Sequence, residues 1–211
     1  MKKDKILEIV KINFLEHKNI LDTFNKTEIK KIIDISNIII SSIEKNGKII
    51  WCGNGGSASD SQHLAAELIG RFKSNRKPLK SISLNSDTSV ITCIANDFGY
   101  ENIFSRQIEA LANKNDTLIV ISTSGNSQNI INAVKIAKKM RIKVIGLLGK
   151  GGGYCKKILN KYLIVNSNNT ARIQEMHILI GHILCEIIEN KYGIKQNSEW
   201  KKSLFLVVTD L

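Results

Sequence analysis

Residues 48–57 read KIIWCGNGGS, an apolar run that leads directly into a glycine-rich turn. The run 48–52 predicts a short buried strand, and the residues after Ser57 have a helical pattern, so the glycines fall between a strand and a helix. Glycines let the backbone approach a ligand closely, and the first free N–H groups of a helix favour an anion. The stretch therefore predicts an anion-binding turn of the kind found in α/β proteins.

The helix that follows this turn carries two side chains that can bind a metal, His63 and Glu67. They are four residues apart, so they lie on one face of the helix and can converge on one ion or one substrate carbon. A His/Glu pair at this spacing is also common on solvated helix surfaces. The pair indicates a site only together with other features.

A second polar loop, 122–127 with the sequence STSGNS, follows the apolar run 117–121. It holds four hydroxyl side chains and one glycine, and a helical pattern follows it. In an open α/β sheet, loops at the carboxyl ends of the strands line one crevice. We therefore expect this loop to form a second anion cradle and to share one ligand with the first.

Alternating apolar runs and amphipathic segments predict a doubly wound parallel sheet, sandwiched by helices on both faces. The predicted strands are 48–52, 80–84, 116–122, 143–148 and 161–165. The predicted helices are two N-terminal ones, 3–24 and 27–46, then 57–72, 88–96, 103–111, 127–140 and a short 153–160, and a long C-terminal helix, 170–192. Thr27 is the expected cap of the second helix and Gly47 its stop.

At 211 residues, with 43% hydrophobic residues and a single proline, the chain is expected to form one domain over 1–190. The tail, 191–211, has no assigned role: Trp200 and residues 204–208 are compatible with an added strand or with a mobile end.

Four scattered cysteines without a CxxC spacing favour reduced thiols and a cytoplasmic protein; they are Cys52, Cys93, Cys155 and Cys185. The N-terminus reads as an amphipathic helix rather than a signal peptide, and no run is long enough to span a membrane.

The net charge of +12 raises the question of nucleic-acid binding. The lysines are spread along the chain, only five residues are arginine, and there is no clustered basic stripe with interleaved aromatics. We expect no nucleic-acid partner. A positive field would still attract an anionic substrate.

Six motifs, in order along the chain, carry a family resemblance: CGNGGS (52–57), AELIGRF (66–72), ANDFG (95–99), FSR (104–106), STSGNS (122–127) and RIQEMH (172–177). With them the chain resembles the phosphoheptose isomerases. The resemblance implies the sugar-isomerase (SIS) fold and a homotetramer. It also implies conversion of sedoheptulose 7-phosphate to D-glycero-D-manno-heptose 7-phosphate through an enediol, the first step towards nucleotide-activated heptoses for lipopolysaccharide, capsule or glycoprotein.

The same resemblance implies roles for individual residues. Glu67 and His182 would be the acid/base pair, and one Zn²⁺ per site would be bound by His63, Glu67, Gln174 and His182. The implied substrate-binding residues are Asn54, Gly55, Gly56, Ser57, Glu67, Arg71, Asn96, Asp97, Ser122, Thr123, Ser124, Ser127 and Gln174. Some family members have an acidic residue where this chain has Ala171, which leaves the sugar contacts there undefined.

The chemistry of an aldose–ketose isomerase agrees with these residue types. A base must remove a proton from C1, and a carboxylate such as Glu67 can serve as that base. An imidazole such as His182, a residue type that titrates near neutral pH, can exchange protons with the sugar oxygens. Zinc would stabilise the enediolate as a Lewis acid, although a zinc-bound carboxylate is a weaker base. His177 lies five residues before His182, on another face of one helix, and is expected to be structural, with His17 on the surface.

Gln174 and His182 are eight residues apart, which corresponds to a rise of about 12 Å along a straight helix. Both can reach one ion in a single chain only by leaning steeply towards each other. We therefore expect the sites to lie at subunit interfaces, with Gln174 supplied in trans to Glu67.

Three other functions remain as alternatives. A Rossmann oxidoreductase fits the pattern GNGGSA at 53–58, but residues 84–86 lack the acidic residue that would bind a ribose. A non-catalytic SIS protein that binds a replication initiator would have similar loops, but would lack Glu67 and His182. Sugar-phosphate-sensing regulators usually carry a DNA-binding module, which this sequence does not show.

Overall fold

Five parallel strands form the centre of the computed structural model, which describes residues 3–193. They are β1 (Ile49–Gly53), β2 (Ser81–Ser83), β3 (Thr117–Ser122), β4 (Lys143–Gly149) and β5 (Lys161–Val165). The order is β2-β1-β3-β4-β5, and each neighbouring pair is parallel. The chain moves outward from β1 to β2 and returns to the other side at β3, so the direction of winding reverses between β1 and β3. This confirms the doubly wound sheet and places the crevice beyond the carboxyl ends of those two strands.

Helices cover both faces of the sheet. They are α1 (Lys3–Leu21), α2 (Lys26–Glu44), α3 (Gly56–Ile69), α4 (Thr88–Phe98), α5 (Ser105–Leu111), α6 (Gln128–Lys139), α7 (Cys155–Ile158) and α8 (Thr170–Tyr192), with 3-10 turns at Tyr100–Asn102 and Lys150–Gly152. Successive side chains of β1 enter different cores: Ile49 and Trp51 join α2, α3 and α8, whereas Ile50 and Cys52 join α4, α5 and α6. This alternation explains why β1 is apolar throughout.

Several predicted helix ends differ from the observed ones. Thr27 was expected to cap α2, but the cap is Asn25, whose side chain accepts the backbone N–H of Thr27. Within the third helix, 57–72, the last turn does not form, because the backbone N–H groups of Phe72 and Lys73 donate to the carboxylate of Glu189. The short helix 153–160 shrinks to one turn.

Other predicted boundaries hold to within a few residues, and α8 ends at Tyr192 as expected. His17 was expected on the surface, but it is half-buried and lies 2.8 Å from the carboxylate of Glu175. Trp200 and residues 204–208 of the tail lie outside the described residues. Within 3–193, no helix is long and apolar enough to cross a membrane.

Candidate functional site

At the turn after β1, hydrogen bonds between the side chain of Asn85 and the backbone of Gly53 continue the pairing of β1 with β2. The N–H of Gly53 donates to Oδ1 of Asn85 at 3.2 Å, and Nδ2 of Asn85 donates to the carbonyl of Gly53 at 2.9 Å. The side chain of Asn85 thereby forms the two hydrogen bonds that a backbone residue would form if β2 continued past Ser83. Gly55, with φ of 57°, then turns the chain into α3, a conformation that favours glycine.

A pair of amides joins this turn to the second loop. Nδ2 of Asn54 donates to Oδ1 of Asn129, and Nδ2 of Asn129 donates to Oδ1 of Asn54, both at 2.9 Å. The hydroxyl of Tyr100 also donates to Oδ1 of Asn54, at 3.1 Å. Asn129 lies in the first turn of α6 and is only 3% exposed. The turn after β1 and the start of α6, which follows the second loop, are therefore in direct contact.

The loop between β3 and α6 is folded around its own hydroxyl groups. Ser122 Oγ accepts the N–H of Gly125 at 3.0 Å, and Ser124 Oγ accepts the N–H of Asn126 at 3.2 Å. Gly125 has a φ of 64°, and a Cβ there would lie 2.1 Å from the carbonyl oxygen of Gly152. Ser127 caps α6 by position, but its side chain makes no capping hydrogen bond. Its hydroxyl and the helix N-terminus can thus receive an anion.

Three metal-capable side chains converge on the face of α3 that meets α8. Nε2 of His63 lies 3.0 Å from Oε1 of Glu67 and 3.1 Å from Nε2 of His182. All three ligand atoms lie within 4.8 Å of one another. A single ring nitrogen of His63 thus faces both partners, and it carries at most one proton. Two imidazoles and a carboxylate in this arrangement are a donor set that Zn²⁺ accepts.

Burial lowers the pKa of His182 below its usual value, and the neighbouring His63 lowers it further, against the opposing effect of Glu67. The imidazole is therefore held in its neutral form near physiological pH, as a metal ligand or a proton acceptor requires. The ring of Phe72 stacks on the imidazole of His182, with centroids 5.3 Å apart and an interplanar angle of 26°. The stacking restricts the orientation of the ring.

The close approach of α3 and α8 depends on Gly181. A Cβ at this position would lie 2.5 Å from a methyl carbon of Leu64, which is fully buried. Because His182 directly follows Gly181 and His63 directly precedes Leu64, the same contact brings the two histidines together. Nothing in the sequence near Gly181 indicates that it packs against Leu64.

A buried network fixes the end of α3 that carries Glu67. Arg76 donates from Nη2 to the carbonyl of Glu67 at 2.6 Å and from Nη1 to that of Leu68 at 2.8 Å. Its Nε lies 3.4 Å from the carboxylate of Glu189. Burial acts to raise the pKa of Glu189, but three backbone N–H donors from residues 72–74 and Arg76 outweigh burial and hold that pKa below its usual range.

Asp60 is a further carboxylate close to the cluster that the sequence did not single out. It lies on α3 one turn before His63, and its Oδ2 is buried without a hydrogen-bond partner within residues 3–193. Burial raises the pKa of Asp60 to about 6, while the nearby His63 acts to lower it. A carboxyl group with this pKa can exchange protons near neutral pH.

Other predicted site residues are not joined to the cluster in this chain. A Cβ on Gly56 would lie 2.6 Å from the side chain of Gln174, so Gln174 lies beside the glycine turn of its own chain, at the opposite end of α3 from Glu67. Asn96 donates to Asp97 at 2.7 Å. No hydrogen bond within residues 3–193 connects Arg71, Asn96 or Asp97 to the two loops or to the histidines.

Comparison with known proteins identifies the class to which the fold belongs. The family model of the SIS domain matches residues 14–149. A phosphoheptose isomerase of Helicobacter pylori (strain Shi470) is 50% identical over 187 residues, which are 89% of this chain and 97% of that protein. The fold and its two loops thus define the class, an SIS domain.

Two solved structures narrow the class further. The phosphoheptose isomerase of Neisseria gonorrhoeae superposes with a TM-score of 0.83 at 39% identity, covering 88% of this chain and 99% of that one. The phosphoheptose isomerase of Francisella tularensis superposes with a TM-score of 0.82 at 36% identity, covering 90% of this chain and 100% of that one. The chain belongs to the phosphoheptose isomerase family.

Proposed function

We propose that this protein is an aldose–ketose isomerase that converts sedoheptulose 7-phosphate to D-glycero-D-manno-heptose 7-phosphate. The observation that carries the proposal is the convergence of His63, Glu67 and His182 on one point, in a chain from this family. The product would enter the synthesis of nucleotide-activated heptoses for lipopolysaccharide, capsule or glycoprotein.

The two polar loops are suited to a sugar phosphate. We assign the phosphate to the hydroxyls of Ser57, Ser122, Thr123, Ser124 and Ser127. The N-termini of α3 and α6 add donors and partial positive charge at the same edge of the sheet. Asn54, with its orientation fixed by Asn129, would meet the sugar hydroxyls. Gly55 and Gly56 would let the substrate approach the backbone.

The proton transfers fall to Glu67 and His182. Glu67 takes the proton from C1 to give an enediol, and a proton returns at C2, while the neutral imidazole of His182 exchanges protons with the sugar oxygens. The contact of Glu67 with His63 at 3.0 Å restricts the orientation of its carboxylate. Phe72 stacks on one face of the His182 ring.

The donor atoms of His63, Glu67 and His182 also fit Zn²⁺ in type and in spacing. When bound, zinc would act as a Lewis acid on the oxygens of the enediolate. Gln174 completes the ligand set that we propose, but it lies beside Gly56 in this chain. Metal analysis of protein purified without chelators tests this: we expect one zinc per site, and activity unaffected by both chelator and added zinc would contradict it.

The assembly that we propose is a homotetramer with its sites at subunit interfaces. The helix α1 supports it, because seven of its apolar side chains are about half exposed or more: Ile6, Leu7, Ile9, Val10, Ile12, Phe14 and Leu15. Phe14 is 75% exposed. An apolar surface of this kind marks an interface, and a second copy of the chain is the partner that a homotetramer provides.

The decisive experiment is incubation of the purified protein with sedoheptulose 7-phosphate while aldose formation is followed. We expect turnover of the phosphorylated ketose and much slower turnover of sedoheptulose, since the phosphate supplies binding energy remote from the reacting carbons. No aldose from the phosphorylated substrate, with zinc present, would contradict the proposal and favour a non-catalytic SIS protein.

A further inference from the structure

A second cavity, of about 400 Å³, opens at the opposite edge of the sheet from the loops described above. It lies between the end of α2 and the amino ends of β3 and β4. Since β3 rises about 3.3 Å per residue, its ends, Thr117 and Ser122, are about 17 Å apart. The cavity is therefore separate from the isomerase site. Its volume falls in the range of small-molecule sites.

Four cationic side chains line this cavity: Lys45, Lys114, Arg141 and Lys143. None of them forms an ion pair with any acidic residue in 3–193, whereas Lys73 and Lys161 elsewhere on the protein do. Four like charges around one cavity repel one another, and a bound anion would remove that repulsion.

Among the residues that the structure describes, the only acidic one that lines the cavity is Asp116, whose charge is already balanced. Its carboxylate accepts the backbone N–H and the ammonium of Lys48, at 2.8 and 2.5 Å, and the N–H of Asn113 at 2.7 Å. Asp116 is buried, so it does not offset the four surrounding cations. The cavity consequently has a net positive charge.

A buried polar group independently indicates a ligand. Thr117 lines the cavity and is 0% exposed, and its hydroxyl has no hydrogen-bond partner within the part of the chain that the structure describes. A buried hydroxyl without a partner costs free energy, so such groups are rare unless something else binds them. Ile38 provides an apolar wall next to these polar groups.

We propose that this cavity is a second anion-binding site, for a small molecule that carries a diphosphate or a comparable pair of negative charges. The cationic side chains bind the phosphoryl oxygens, the hydroxyl of Thr117 donates to one of them, and Ile38 contacts the remainder of the ligand. The site does not depend on the isomerase reaction, because it shares no residue with the two loops or the histidines.

Calorimetric titration with inorganic pyrophosphate at low salt tests the proposal. The double variant Lys114→Gln/Lys143→Gln removes two positive charges from the cavity. Its control, Lys26→Gln/Lys30→Gln, removes two positive charges from the first turns of α2, at the end of that helix away from the cavity. We expect the first variant to bind about tenfold more weakly than the wild type and the second to bind equally well. Absence of binding to the wild type, or an equal loss in both variants, would overturn the proposal.

Thr117→Val provides a second test, because it separates a role of the hydroxyl in ligand binding from a purely structural role. The replacement keeps the shape and removes the unpartnered hydroxyl, so the urea midpoint should stay unchanged or rise. Pyrophosphate binding should nevertheless weaken several-fold. A variant that binds pyrophosphate as tightly as the wild type would count against the site.

Discussion

At the scale of single residues, Glu67 and His182 are the side chains on which the proposed proton transfers depend. Glu67→Gln and His182→Gln are close to isosteric, and each should lower kcat by about 10²–10⁴-fold, the usual effect of losing a general acid or base. Steady-state kinetics with sedoheptulose 7-phosphate measure this.

Matched controls for these two variants are Glu186→Gln and His17→Gln. Both controls change a side chain that contacts a partner away from the cluster: Glu186 pairs with Lys73, and His17 lies 2.8 Å from Glu175. They should leave kcat near the wild-type value, while circular dichroism shows all four proteins folded. Near-normal turnover in both cluster variants would exclude the mechanism.

The buried His177 should make stability depend on pH. Burial lowers its pKa from 6.5 to about 4, although the hydrogen bond to the carbonyl of Leu148 acts in the opposite direction. Between these two values the unfolded chain binds more protons than the folded protein, so the free energy of unfolding falls as the pH is lowered. The loss from this group should reach about 3 kcal/mol near pH 4.

Urea unfolding at several pH values, for the wild type and His177→Gln, checks this dependence. Glutamine does not titrate and can still donate to the carbonyl of Leu148. The variant should lose less stability than the wild type on acidification. Parallel curves for the two proteins would show that another group is responsible.

The residues that sequence reasoning identified are those with a local signature. His63 and Glu67 share a helix face four residues apart, and His177 could be assigned a structural role from its spacing to His182. Asn129 and Asn85 were missed because their partners are 75 and 32 positions away. Such long-range amide contacts leave no pattern within a short window of sequence.

At the scale of secondary-structure elements, strand and helix order was predictable because apolar periodicity is local. The residues at which helices begin and end were less predictable. Asn25 rather than Thr27 caps α2, since both residue types are good caps and the sequence does not decide between them. The end of α3 is set by Glu189, whose carboxylate accepts backbone N–H groups from 116 and 117 positions earlier in the chain.

The packing of α8 on α3 yields a prediction for Gly181. Gly181→Ala would place a methyl group 2.5 Å from Leu64, and the helices would have to move apart. Overpacking of this kind typically costs about 1–3 kcal/mol. The same movement would separate His182 from His63 and weaken metal binding. Chemical denaturation and zinc titration measure the two effects.

A second substitution can relieve this clash. In Leu64→Ala/Gly181→Ala the new methyl group has space, so the metal affinity should recover relative to Gly181→Ala, even though the cavity left by Leu64 costs stability of its own. If the double variant binds zinc no better than Gly181→Ala, helix separation is not the cause of the weakened binding.

At the scale of the whole molecule, the position of Gln174 bears on how a complete site forms. Gln174 lies beside Gly56, at one end of α3, whereas Glu67 and the two histidines lie further along the same helix. Eight residues separate Gln174 from His182 on α8, a rise of about 12 Å. A Gln174 from a neighbouring subunit would avoid this distance, and the exposed apolar side chains of α1 offer a surface for such a neighbour.

Mixed assemblies of two inactive variants test this arrangement. Glu67→Gln and Gln174→Ala are unfolded together and reassembled, with each variant reassembled alone as the control. If the two residues act in trans, some sites in the mixed oligomers contain both wild-type side chains, and part of the activity returns. If they act in cis, every site keeps one lesion. A mixture as inactive as its parents, although shown to contain both chains in one oligomer, would therefore rule out Gln174 as a residue supplied by the neighbouring subunit.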